Sequence, residues 1–185
     1  QEKHEDASQT EGGVPVLVRP KGAYGVERHD LRLRLYPEGG SLVQGLEGRV
    51  AFCLTDKMGM PLSGIGWLDT GEDSSGPVFP VDSLGRGSYT PSESSVAFVF
   101  TDSKGQTYRF LLPMPEREGC VLRVNTLLGD RVDVEIASTS GLEGQVWGMT
   151  LQNGGTVVAA HSFLTGSAPH MFFFSRADML SGVSR

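Results

Sequence analysis

The chain carries only two cysteines among 185 residues, Cys53 and Cys120. A small disulfide-held scaffold would have more. Cys53 lies in the apolar run "RVAFCL", where a free buried thiol is the simplest reading; a Cys53–Cys120 bridge stays open as the alternative, because spacing does not reveal proximity. Positive charge is scarce too. Sixteen Lys and Arg stand against 22 Asp and Glu, a formal net charge of -6, so no nucleic acid is expected as a partner: a phosphate backbone attracts clustered basic residues. No apolar run approaches the roughly 20 residues needed to span a bilayer, so no transmembrane segment is expected. The opening "QEKHEDASQTEGG" is too polar for a signal peptide. No stretch keeps helical periodicity for more than about two turns.

Catalytic signatures are missing as well. There is no G-x-S-x-G, and "SESS" (92–95) reads as loop. The cluster "HED" at 4–6 sits in a polar tail, whereas a metal site needs three or four ligands on a rigid scaffold. His29 and Asp30 precede the first clear strand and read as polar entry residues. His161 and His170 lie in or beside apolar runs, where a ring packed among neighbours is commoner than a catalytic one. The acidic turns "GED" (71–73), "TDK" and "TDS" lack the D-x-D-x-D-G pattern of a calcium loop, and turn chemistry accounts for their aspartates. No cofactor and no metal is therefore expected, and no enzymatic activity.

Glycine and proline, 25 and 10 residues, are plentiful. From Leu31 onward, turn signals recur about every ten residues, the rhythm of an all-β sandwich. In "LRLRLYPEGG" Leu31, Leu33 and Leu35 alternate with Arg32 and Arg34, as on a strand with one face buried and one in water. Pro37 then withdraws a backbone donor, and Gly39 and Gly40 allow a turn or bulge. The spacing predicts strands over 30–36, 48–55, 63–69, 77–81, 87–90, 95–101 and 107–112, then over 120–126, 131–137, 144–151, 155–163 and 170–174. "AFCLTDKMG" and "AFVFTDSKG" share Ala-Phe-x-x-Thr-Asp-x-x-Gly, and "DSLGRG" (82–87) is a third turn of that kind. In each, Asp accepts backbone hydrogen bonds at the turn start and Gly takes the positive φ. "MPEREG" (114–119) has no apolar face and marks a boundary. The expected organisation is a flexible segment or linker over 1–26, one β-sandwich over 27–114, and a second over 115–185. "VPVLVRP" (14–20) reads as a short edge or connecting strand, because its prolines exclude a central one, and "SRADML" as one helical turn capped by Ser175.

The ordered set Tyr36, Pro37 to Gly40, Leu42-Val43, Gly45, Val50 to Phe52, Asp56, Gly59, Gly64 and Asp69 resembles the macroglobulin-type β-sandwich repeat of large secreted or outer-membrane-associated proteins of Gram-negative, gut-type bacteria. "GRGSYTP" (85–91) and "RFLLPMPEREGCVLRV" continue the match. The resemblance implies tandem immunoglobulin-like modules acting as extracytoplasmic spacers or interaction surfaces, with neighbouring modules or another protein as partner. It also implies that the second sandwich is truncated, because "SRADMLSGVSR" matches a segment that precedes a final strand. Macroglobulins that trap proteases use a Gly-Cys-x-Glu-Gln thioester; here Gly119-Cys120 is followed by Val121-Leu122, so no trapping activity is implied.

Trp67, Trp147 and Tyr89 are the candidates for a glycan-stacking platform, the alternative to a protein-interaction role. Both tryptophans lie inside strand-like runs, "GIGWLD" and "QVWGMT", which favours core or half-buried positions. "MFFF" (171–174) is apolar on both faces and calls for a central strand or a covering neighbour.

Overall fold

The computed structural model describes residues 24–28, 30–71, 75–126, 130–153 and 155–175. The fold is all-β, and every sheet is antiparallel. In chain order the strands are β1 (Tyr24–Arg28), β2 (Leu31–Pro37), β3 (Val50–Asp56), β4 (Gly64–Asp69), β5 (Ser75–Val81), β6 (Arg86–Tyr89), β7 (Ala97–Asp102), β8 (Thr107–Leu111), β9 (Cys120–Thr126), β10 (Arg131–Ser138), β11 (Val146–Asn153), β12 (Thr156–Leu164) and β13 (His170–Ser175). Twelve of these were expected from the sequence to within about two residues at each end.

Two four-stranded sheets, β1-β2-β3-β6 and β5-β4-β7-β8, share one core. The period-two rule fills it. Leu31, Leu33 and Leu35 of β2 and Val50, Phe52 and Leu54 of β3 point inward, and Phe98 and Phe100 of β7 meet them with Phe110 of β8. Phe52 and Phe98 meet edge-on at 4.9 Å, and Phe98 and Phe110 at 6.2 Å. Such tilted contacts favour the ring quadrupoles beyond plain area burial.

At one end of this sandwich three turns repeat one solution. Asp56 Oδ1 accepts the N–H groups of Met58 and Met60, Asp82 Oδ1 those of Leu84 and Arg86, and Asp102 Oδ1 those of Lys104 and Gln106, all at 2.8–2.9 Å. Gly59, Gly85 and Gly105 close the turns at positive φ. The Asp-x-x-Gly echo of the sequence is this hairpin grammar.

Inward apolar side chains of β9 to β13 form a different cluster. Sheet β13-β10-β9 faces the hairpin β11-β12, with Val132, Val134, Ile136 and Phe174 buried between them. Thr165 ties the hairpin's open end: its hydroxyl donates to the Leu142 carbonyl and accepts the Gln145 N–H.

Two expectations are corrected. Tyr24 to Val26 are not linker: they belong to β1, which pairs with β2 from Tyr24↔Leu35 to Arg28↔Leu31. Gly25 between Tyr24 and Val26 weakens the alternation that marks the other strands. Tyr89 is not an outward platform either. Val50, an inward residue, lies opposite it in the ladder, so its ring enters the core. "HED", "VPVLVRP", His29 and "SRADML" after Ser175 lie outside the described residues. Among those described, no helix is long and apolar enough to cross a membrane.

Candidate functional site

The motif that interrupts the first hairpin, Pro37-Glu38-Gly39-Gly40, turns out to be where the two clusters meet. The turn closes through Gly40 N–H to the Pro37 carbonyl at 2.9 Å, and Glu38 N–H reaches the Arg49 carbonyl at 2.8 Å. Gly39 then passes directly beneath β9. A Cβ on it would stand 2.6 Å from the Leu122 nitrogen and 3.3 Å from the Val121 Cα, and its φ is +83°. Both the space and the backbone conformation require glycine.

Side chains complete the contact. Glu38 Oε1 accepts the Val124 N–H of β9 at 3.3 Å and pairs with Arg49 at 3.5 Å. Arg123 of β9 bridges Glu47 of the loop, at 3.5 Å, and Glu135 of β10. Val121 is buried on the outward face of its sheet, with Gly48 beneath it: a Cβ there would lie 3.5 Å from Val121 Cγ1. The connecting segment is pinned as well. Val43 and Glu116 form a parallel bridge in which Glu116 N–H donates to the Leu42 carbonyl at 2.8 Å and Gln44 N–H to the Glu116 carbonyl at 2.9 Å. Gly119 lies against Val43. Each such hydrogen bond contributes on the order of 1 kcal/mol net. Glu38 and Arg123 hold charges partly out of water, where loss of one partner costs more than the pair itself contributes.

Beside this contact lies a cavity of about 570 Å³, lined by Leu46, Glu93, Leu112, Met114 and Arg117 among others. Its wall is mainly loop and connecting segment. Pro37, Glu38, Leu42, Val43 and Gly45 of the ordered motif set line it, but none of Trp67, Trp147, Tyr89, His161 or His170 does.

Those residues are dispersed. Trp67 is half-buried on the outer face of β4, between Val78 of β5 and Val99 of β7. Trp147 is half-buried on β11, its indole N–H donating to Gln145 Oε1 at 3.3 Å. Tyr89 stacks on Phe79 at 5.4 Å and packs against Phe52 and Phe98. Burial pushes its phenol above the usual tyrosine range, and among the described residues no group pairs with its hydroxyl. Its ring therefore has no face left for a sugar.

The two described histidines lie against aromatic rings, His161 from an exposed position and His170 half-buried. His161 lies 5.5 Å from Phe172 and 5.8 Å from Phe174, and His170 lies 4.7 Å from Phe163. Among the described residues no three His, Cys, Asp or Glu side chains gather as a metal site. Cys53 and Cys120 are both free. They belong to different sheets, Cys53 to β3 and Cys120 to β9, and burial raises the Cys120 thiol above its usual range.

Sequence reasoning missed the partners of Glu38 and Arg123. The Glu38–Val124 bond spans 86 residues and the Arg123–Glu47 pair 76. The one available signal was the length of the Pro-Glu-Gly-Gly interruption, longer than a hairpin turn needs.

No protein-family model matches the sequence, and no curated protein matches it.

Proposed function

We propose that the chain is a non-enzymatic structural and protein-interaction module in which the Pro-Glu-Gly-Gly loop is a joint, holding a second immunoglobulin-like sandwich at a set angle to the first. The observation that supports this most is Gly39 seated under the Leu122 backbone, with Glu38 and Glu47 reaching across to β9 on either side. A loose tether between independent units needs neither a glycine at that spot nor charge pairs spanning it. In this reading the action is geometric. The loop sets a direction, the next sandwich follows it, and surfaces far from the joint are presented at fixed separation.

The resemblance to macroglobulin-type repeats supplies the setting: a segment of a larger secreted or outer-membrane-associated bacterial protein, outside the cytoplasm, whose partners are neighbouring modules or another protein. The joint itself is tested by small-angle X-ray scattering of the wild-type chain and of Gly39→Val. The wild type is expected to fit one compact arrangement, and the variant to show a broader distribution of lengths at unchanged strand content by circular dichroism. Identical profiles would remove the joint from the account. The setting is tested separately, by fractionating cells that make the parent protein; recovery in the cytosol would refute it.

A further inference from the structure

We infer that the outer face of sheet β1-β2-β3-β6 binds an anionic glycan, a sugar chain bearing carboxylate or sulfate groups. The molecule as a whole is acidic, with a net charge of -6. This face runs the other way. One row across it reads Gly25, Arg34, Cys53, Arg86, with the two arginines flanking the half-buried Cys53. The next row reads Tyr36, Ala51, Ser88, all three exposed. Arg34 is exposed and has no ion pair among the described residues. Arg86 keeps only a loose pair with Asp82 at 3.9 Å, its side chain 59% exposed. Arg32 lies one row further along β2, opposite Glu27 in register.

The geometry selects the occupant. Arg34 and Arg86 stand two strand spacings apart, about 10 Å at the backbone, and the floor between them is built from small side chains. Guanidinium groups hold carboxylate and sulfate oxygens through paired hydrogen bonds, which an ammonium cannot reproduce. Tyr36, one pleat from Arg34, offers a ring 44% exposed on which a sugar can stack. A peptide would find little here. β2 and β3 have their backbone groups paired on both sides, so a peptide has no open backbone to pair with across the floor between the two arginines; only the edge strands β1 and β6 offer one.

This site shares no residue with the joint, so each reading can fail alone. Binding is measured calorimetrically at low ionic strength with four probes: polygalacturonate, dextran sulfate, neutral dextran and poly-L-glutamate. The wild-type chain is expected to bind at least one of the two anionic polysaccharides, to ignore neutral dextran, and to bind poly-L-glutamate at least tenfold more weakly. The carboxylated and sulfated arms decide which anion is preferred. The double variant R34Q/R86Q, unchanged in thermal unfolding, is expected to bind about tenfold more weakly, on the scale of two lost charge-assisted contacts. R34K/R86K is expected to fall between, because charge remains and the fork geometry does not, and it serves as the test should the first variant fold poorly. Tyr36→Ala is expected to weaken binding less than either. Absence of binding by the wild type, equal affinity for poly-L-glutamate, or affinity unaffected by both arginine pairs would overturn the inference.

Discussion

The two sheet pairs of this molecule are built on the same alternation yet close over very different cores. The first buries thirteen apolar side chains in one cluster, with Phe98, Phe100, Phe110, Leu33 and Leu35 fully covered. Among the described residues the second buries four, each still 5–7% exposed, and leaves Leu122, Met149, Leu151, Phe163 and Phe172 half-covered. On its outward side Phe173 is 56% exposed beneath the Arg131 guanidinium at 4.7 Å. Hydrophobic stabilisation scales with apolar area removed from water. The first pair has a core of its own, whereas the second has a stronger need for support from outside, and the loop around Gly39 supplies a seat for its first strand.

Substitutions can break or sharpen this contrast. The largest effect is expected in the first core: Phe98→Ala should cost about 3–5 kcal/mol, because the ring is fully enclosed and the sheets cannot collapse on the space. The matching change Phe174→Ala should cost about half as much, since its surroundings are looser. Denaturant titration measures both, and equal costs would erase the contrast. Next comes Gly39→Ala, where a positive φ and a Cβ 2.6 Å from the Leu122 nitrogen act together. About 2–3 kcal/mol is expected, from strain of about 1–2 kcal/mol plus displacement of β9. The loss should fall on the second pair: hydrogen exchange of β10 amides should quicken while that of β7 amides holds. Uniform change across both pairs would contradict the seating.

Tyr89→Phe should go the other way, raising stability by about 1 kcal/mol, because it removes a buried hydroxyl with no partner among the described residues. The same residue sets an alkaline limit. Its folded pKa is raised, so its contribution is complete below the ordinary tyrosine value of about 10 and is lost as pH rises above that. The phenylalanine variant should lose less stability between pH 9 and about 11; an unchanged slope would sink this. The smallest effect belongs to the turns. Backbone N–H bonds from Arg86 and Leu84 hold the Asp82 carboxyl below its usual range, and the Gly71 N–H and then Arg109 do the same for Asp69. Their stabilisation is present above the unfolded value near 4 and fades as pH falls through the lower folded values. Asp82→Asn should flatten acid unfolding slightly, as followed by tryptophan fluorescence.

Strand positions were legible because alternation and turn residues are local signals. Leu31-Leu33-Leu35 and the Asp-x-x-Gly turns each carry their meaning within a few residues. β1 was not, since Gly25 interrupts its pattern. The inward orientation of Tyr89 depends on pairing with Val50, 39 positions away in sequence, and the role of Gly39 depends on a strand more than 80 positions downstream. The sequence marked the Pro-Glu-Gly-Gly segment as a break in a ladder, while the reason for the break lies in what packs against it.

The joint is tested most directly by ¹⁵N relaxation of backbone amides in β2, β3 and β7 against those in β10, β11 and β12. The account predicts that both sets fit one rotational diffusion tensor in the wild-type chain and separate into two in Gly39→Ala. Two independent tensors in the wild type would contradict it.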